Sequence, residues 1–237
     1  MNQMENKGQH PAFLAWPDRA KFQRVLPKNK FYQYGKVTAK VREVFVRQIE
    51  QITLQYAVAP ATINLAPRTA VPEIHLLRIE LKTPELDFAA LRCIDAVWQF
   101  PTLFELTFQG RTRVAAAYKR PASGDNDGNK NSNATKWICS NHYATEWFPS
   151  DTPRTALPLA LDLAGLYQQL LHRLIPLPAR PGETLAELVD RTEQAAAKRR
   201  ELEKATARLN KEPQFNRKVE MNGVVRRLVL ELKRMEE

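Results

Sequence analysis

Glu80-Leu81-Lys82 is the sharpest chemical string in this sequence. It closes a run from Glu73 to Lys82, EIHLLRIELK, that reads as a strand. Residues two apart on a strand project from one face. A carboxylate and a lysine so placed form part of the core of metal-dependent nucleases of the restriction-endonuclease-like fold. There the acid holds Mg2+ and the lysine polarises the attacking water or steadies the phosphate. Such a centre needs a second carboxylate. No Asp or Glu lies between Gln51 and Pro72, Glu73 begins the same strand, and Glu50 is the upstream stand-in. Glu-x-Lys is also common as a plain surface pair on amphipathic strands. A divergent Mg-dependent nuclease using Glu80 and Lys82 is therefore the alternative reading, and the leading one assigns no catalytic residue.

Cys139 and His142 have metal-ligand spacing, with His75 and Cys93 as more distant candidates. Four-ligand zinc sites come as two paired knuckles. One imperfect pair reads instead as a buried cysteine beside a histidine, so no metal and no cofactor is expected. A nucleophile elbow, Gly-x-Ser-x-Gly, is absent, and so is Gly-x-Gly-x-x-Gly. With eight glycines in all, nucleotide hydrolysis by a familiar phosphate loop is excluded.

The third candidate is electrostatic. The chain has 36 Lys+Arg against 26 Asp+Glu, a formal charge of +10. Between Arg19 and Arg47 nine cations face the single anion Glu43, so about +8 of that total is local. Phe22, Phe31, Tyr32 and Tyr34 lie among those cations. Cations interleaved with rings suit a phosphate backbone with stacked bases. The residues expected to touch nucleic acid are Lys21, Arg24, Lys28, Lys30, Phe31, Tyr32, Lys36 and Lys40, with Lys119 and Arg120 beyond them. The competing accounts are rings that anchor an N-terminal arm under solvated lysines, and an acidic protein partner.

The elements that must position these groups follow from periodicity. Residues 1–18, with Pro11 and Pro17, read as a flexible leader. Lys36–Ile49 has helical spacing, Gln51–Val58 reads as a strand, and Pro84 suits the first turn of a helix to Val97. Phe104–Phe108 and Arg113–Lys119 flank Gln109-Gly110 as a hairpin. Ala122–Thr135 is a low-complexity insert, after which Trp137–Phe148 reads as a strand and Leu161–Leu174 as a helix. Glu146-Trp147-Phe148 either caps the core, with Glu146 pairing Lys119 or Arg120, or lines a groove. Pro176, Pro178 and Pro181 make a stiff linker at 177–182, ending an α+β domain at 19–176. The remainder, 183–237, carries 13 cations and 11 anions and repeats apolar residues at helical spacing, broken by Pro213. It is expected to form a helical hairpin or coiled coil, with Phe215, Val219, Val225 and Val229 in a partner-binding seam.

Specific strings add a resemblance. Lys30-Phe31-Tyr32, Thr62-Ile63-Asn64-Leu65, Ile79-Glu80-Leu81-Lys82, Ala117-Tyr118-Lys119-Arg120 and Glu146-Trp147 occur in order, with Leu166-Tyr167 and Leu170 before Ile175-Pro176. They end in the signature from Lys211 through Glu212, Pro213, Gln214, Phe215, Asn216, Arg217, Lys218, Val219, Glu220 and Met221 to Asn222. Together they resemble the prokaryotic domain of unknown function 4391 over about residues 20–235. The resemblance implies genes beside SNF2-like DNA helicases, DNA methyltransferases and restriction genes. It supplies no catalytic residues.

The expectation is thus an α+β protein, a small mixed sheet with packed helices followed by the helical tail. It would act as a non-catalytic accessory subunit with a DNA helicase or methyltransferase in a restriction-modification or phage-defence system. DNA would be one partner and a protein, met through the tail, the other. A pure protein-binding adaptor is the third reading. No run approaches the roughly 20 apolar residues of a membrane span. Two cysteines and no apolar leader point to a cytoplasmic setting.

Overall fold

The computed structural model describes residues 10–35, 37–121 and 137–237. Lys36 and the predicted insert at Ala122–Thr135 lie outside the described residues. The protein is α+β, with a seven-stranded mixed sheet and a C-terminal pair of helices. In chain order its elements begin with β1 (Leu14–Ala15), β2 (Lys21–Leu26), α1 (Lys28–Tyr34), α2 (Ala39–Arg47) and β3 (Ile49–Val58). They continue with α3 (Pro60–Ile63), β4 (Ile74–Leu81), α4 (Ala89–Val97), β5 (Thr102–Phe108), β6 (Arg111–Pro121) and β7 (Trp137–Ala144). Last come β8 (Phe148–Pro149), β9 (Thr155–Ala156), α5 (Leu163–His172), α6 (Leu185–Lys211) and α7 (Phe215–Glu236). The chain divides into one compact unit ending at Leu174 and another from Ile175 to Glu237.

The sheet of the first unit runs β2-β3-β4-β5-β6-β7, with β8 also paired to β6. Neighbours are antiparallel except β4 and β5, which α4 connects as a crossover between parallel strands. The β4 sequence does not alternate apolar with polar because both its faces are covered. Leu77, Ile79 and Leu81 enter one core with Phe45 of α2, Phe31 of α1 and Leu91 and Ile94 of α4. Leu76 points the other way and is also buried. The β5–β6 hairpin turns on Gln109 and Gly110, both at positive φ (44° and 74°), as a two-residue turn demands. Gly35, which ends α1, lies so close to α4 that a Cβ there would come within 2.9 Å of Cys93 Sγ.

Three predicted boundaries move. The leader is ordered well before residue 18, because Phe13, Leu14 and Trp16 are buried and β1 pairs in parallel with β9. Large apolar side chains override the discouragement of Pro11 and Pro17. The helix predicted from Pro84 starts at Ala89, where the Asp87 carboxylate accepts the Ala89 N–H at 2.8 Å. β2 and α1 form from the basic segment itself, ahead of the predicted helix.

On the sheet face away from α1, α2 and α4, Glu105 of β5 is buried and bound by two arginines. Arg78 donates to it at 2.8 Å and 3.2 Å, and Arg154 donates at 3.0 Å to each carboxylate oxygen. Arg154 also donates to the Leu14 carbonyl at 2.8 Å and stacks over Phe13, which fastens β1 to the sheet. In Glu105→Ala both guanidiniums, each about a third exposed, lose their carboxylate, while Arg154 keeps the Leu14 carbonyl. A loss of about 1–3 kcal/mol is expected, read as a lower urea midpoint at unchanged slope.

The second unit is an antiparallel helical pair. Thr184 and Glu187 form a capping box at the start of α6. Leu188 and Ala195 of α6 and Leu228 and Leu232 of α7 are buried along the seam. Arg191 grips Glu183 through both carboxylate oxygens, at 2.6 Å and 2.8 Å, and donates to the Met235 carbonyl at 2.7 Å. Hydrogen bonds from Arg191, helped by the Arg180 N–H, hold the Glu183 carboxyl down from 4.5 to about 2. A depressed acid stabilises the fold fully above its unfolded value and loses that contribution as pH falls through the folded one. The stability difference between the native protein and Glu183→Gln should therefore close as pH drops from 4.5 to about 2. Thermal melts followed by circular dichroism across that range would measure it.

Candidate nucleic-acid interface

The basic segment is built from edge strand β2 and from α1 and α2, which pack side by side. Thr38 caps α2 by accepting the Val41 N–H, and Phe31, Val44 and Phe45 anchor both helices to the sheet. This anchoring decides which candidates remain outside. Phe31 is buried against Phe45 and Trp98, so it cannot stack on a base. Tyr32 is half-buried beneath the Arg42 guanidinium, which lies 5.5 Å from its ring centre. The open rings are Phe22 and Tyr34, the latter 72% exposed.

The cations also divide. Lys21 pairs with Asp18 at 2.6 Å, and Arg47 with Glu43 at 2.9 Å. Lys28 donates to the Ile49 carbonyl at 2.7 Å, and partial burial, with Lys82 nearby, lowers its pKa. Arg19, Arg24, Lys30, Lys40 and Arg42 are exposed and form no ion pair among the described residues. They are the set able to meet phosphates, which attract unpaired cations most strongly.

Lys119 is a different kind of residue from the one predicted. It is 1% exposed, and its ammonium donates to the carbonyls of Asp95, at 2.6 Å, and of Trp98. These carbonyls belong to the last turn of α4, so Lys119 caps that helix C-terminus with a positive charge. Burial lowers its pKa, and the Asp95 carboxylate 3.9 Å away opposes that shift. The other Asp95 oxygen lies 2.8 Å from His142 Nε2 of β7. The N–H of Lys119 donates to the Tyr167 hydroxyl, which donates to the Ala117 carbonyl, so Tyr167 fills the bulge in β6 between Ala117 and Lys119. No part of this network is open to a phosphate. Arg120 remains half-buried on β6, opposite Ile138. Cys139 is half-buried opposite Lys119 in the sheet, and burial pushes the Cys139 and Cys93 thiols up to about 11. Protonated thiols are poor ligands and poor nucleophiles. The structure adds Asp95 to Lys119 and His142; its acidity inside an apolar helix sequence, Ala89–Val97, was the one available signal.

Glu80 alternates with Ile79 and Leu81 and is exposed, opposite Gln51 and Thr107 in the sheet. Lys82 lies past the strand end. Its ammonium turns to the Val46 carbonyl at 3.2 Å and to Glu50 at 3.4 Å. Among the described residues no three His, Cys, Asp or Glu side chains gather where they could hold a metal ion. Glu146 does not pair with Lys119. Its neighbour Trp147 and Phe88 sandwich the Arg113 guanidinium, at 5.4 Å and 5.1 Å.

In the helical pair, Val225 is half-buried toward α6, whereas Phe215, Val219 and Val229 are exposed. At 100° per residue the four predicted seam residues fall within an arc of about 120°, with Val225 at the edge nearest Leu228 and Leu232 and Val219 farthest from them.

Residues 14–232 match the family described as a domain of unknown function (DUF4391). No curated protein and no solved structure matches the chain. No helix among the described residues is long and apolar enough to cross a membrane.

Replacing Lys119 by Met keeps the stem and removes the charge. It leaves two helix-end carbonyls and the Asp95 carboxylate without their cation. A loss of about 3 kcal/mol is expected in urea denaturation.

Proposed function

We propose that this chain, which belongs to the family described as a domain of unknown function (DUF4391), is a non-catalytic accessory subunit. In this reading its first unit holds the phosphate backbone of DNA and its helical pair docks a protein partner. The reading places it beside a DNA helicase or methyltransferase in a restriction-modification or phage-defence system, as the sequence resemblance implies.

The observation that carries the DNA half is the set of five exposed cations on and around β2, α1 and α2 that form no ion pair among the described residues: Arg19, Arg24, Lys30, Lys40 and Arg42. The folded chain compensates Lys21 and Arg47 with carboxylates but leaves these uncompensated, next to the open rings of Phe22 and Tyr34. The non-catalytic half is supported by the side chains that most resemble a reactive group. Asp95, Lys119 and His142 are sealed and engaged in holding α4 and β7.

The experiment is a salt titration of duplex DNA binding. Each phosphate neutralised contributes about −0.9 to the slope of log K against log salt. The triple variant Arg24→Glu, Lys30→Glu and Lys40→Glu should flatten that slope by about 2–3 and weaken binding at low salt. All three side chains are exposed, so the melting temperature should hold. A slope unchanged by the three reversals would remove the DNA half of the proposal.

A further inference from the structure

Each open ring of the basic segment has an exposed cation close to it that forms no ion pair among the described residues. Phe22, 53% exposed, is followed two residues later on β2 by Arg24. Tyr34, 72% exposed, ends α1 one turn after Lys30, and residues four apart on a helix are neighbours. The contacts of α1 bring the two ring-and-cation pairs to one end of the sheet. At its start Lys28 donates to the carbonyl of Ile49, where β3 begins. Near its end Phe31 packs on Trp98, whose Nε1 donates to His75, and His75 lies opposite Ala57 toward the far end of β3. β2 begins at that same far end, because Lys21 pairs with Tyr56. The strand is bulged between Lys21 and Arg24, with Gln23 at a positive φ of 53°, and bulges re-aim the side chains beside them.

From this arrangement we infer that this end of the sheet takes single-stranded DNA, with unpaired bases stacked on Phe22 and Tyr34 and adjoining phosphates on Arg24 and Lys30. The inference deepens the DNA half of the proposed function and rests on it. That reading assigns the phosphates, and this one assigns the bases. In a duplex the bases stack on one another, so Phe22 and Tyr34 would be left against phosphate and water. A single strand offers one base face and one phosphate per nucleotide, which matches a ring with a cation close to it, twice over. Stacking accepts every base, so the surface should show little sequence preference.

The test uses the full chain with three labelled ligands of about 12 nucleotides: oligothymidylate, an abasic strand with the same phosphates, and a duplex. Phosphate attraction by itself favours the duplex, whose charges are denser along its axis. Fluorescence anisotropy at one salt concentration should nevertheless show oligothymidylate binding at least about tenfold more tightly than either of the others. The double variant Phe22→Ala and Tyr34→Ala should bring oligothymidylate down to the affinity of the abasic strand. Its slope of log K against log salt should stay as in the native protein, because no cation is removed. Both rings are exposed, so the melting temperature should hold. Equal binding of oligothymidylate and the abasic strand would assign the surface to polyanions in general and overturn the inference. A tighter duplex, or a double variant that keeps the native preference, would also overturn it. In each of these cases charge reversal at Arg24, Lys30 and Lys40 still flattens the salt slope if the DNA half stands, and leaves it unchanged if that half has failed as well.

Discussion

The ammonium of Lys119 is the point on which the first unit turns. It ends α4 by taking the carbonyls of Asp95 and Trp98, and α4 is the crossover that makes β4 and β5 parallel. The same lysine sits at the bulge of β6 that Tyr167 of α5 fills, and its counter-ion Asp95 reaches His142 on β7. The buried charge therefore ties the crossover helix to β6 and, through Asp95, to β7, while the backbone N–H of the same residue meets Tyr167 of α5. Removing an ammonium from water costs several kcal/mol. Here that cost is met by two helix-end carbonyls, which carry partial negative charge, and by a carboxylate.

Glu105 answers it on the opposite face of the sheet. Its carboxylate is held by Arg78 from the neighbouring strand and Arg154 from the segment leading to β9. The two ionic nodes lie on adjacent strands, β5 and β6, and each gives an element already packed by apolar side chains a definite partner. Lys119 fixes the end of α4, and Glu105, through Arg154, fixes the N-terminal ribbon β1. Apolar burial supplies most of the driving force in such a core, but it is non-directional. The charged pairs have definite partners, and so they specify where the short elements go.

This division explains what was legible in the sequence. β3, β4, the β5–β6 hairpin, α5 and both long helices announce themselves through apolar periodicity or turn chemistry, which are local properties. β2 does not, because Phe22, Arg24 and Val25 are all exposed and the strand has no buried face to create an alternation. Lys119 could not be read correctly, since a lysine in Tyr118-Lys119-Arg120 looks like surface until the carbonyls that receive it, 21 and 24 residues away, are brought to it. Phe31 was misread for the related reason that ring type reveals nothing of which way α1 faces. The tail illustrates a finer failure. Its apolar residues are helical, but α6 covers Leu228 and Leu232 and leaves Phe215, Val219 and Val229 exposed, a division that composition alone does not give.

The two ends of the sheet bear on why the charge is where it is. An exposed edge strand invites pairing with other chains, and lysines or a bulge are common means of preventing it. β2 has both, with Gln23 at a positive φ of 53° inside its register shift. Edge protection would account for the cations on β2 itself, Lys21 and Arg24. The opposite edge strand, β7, has no charged residue between Trp137 and Ala144, so the fold does not require charge at an edge. The cations also continue past β2 onto Lys30, Lys40 and Arg42, which are on helices and have no edge to protect. A purely protective account leaves unexplained both this continuation and the near absence of acids between Arg19 and Arg47. A polyanionic ligand accounts for both, because every cation in the segment then contributes with the same sign.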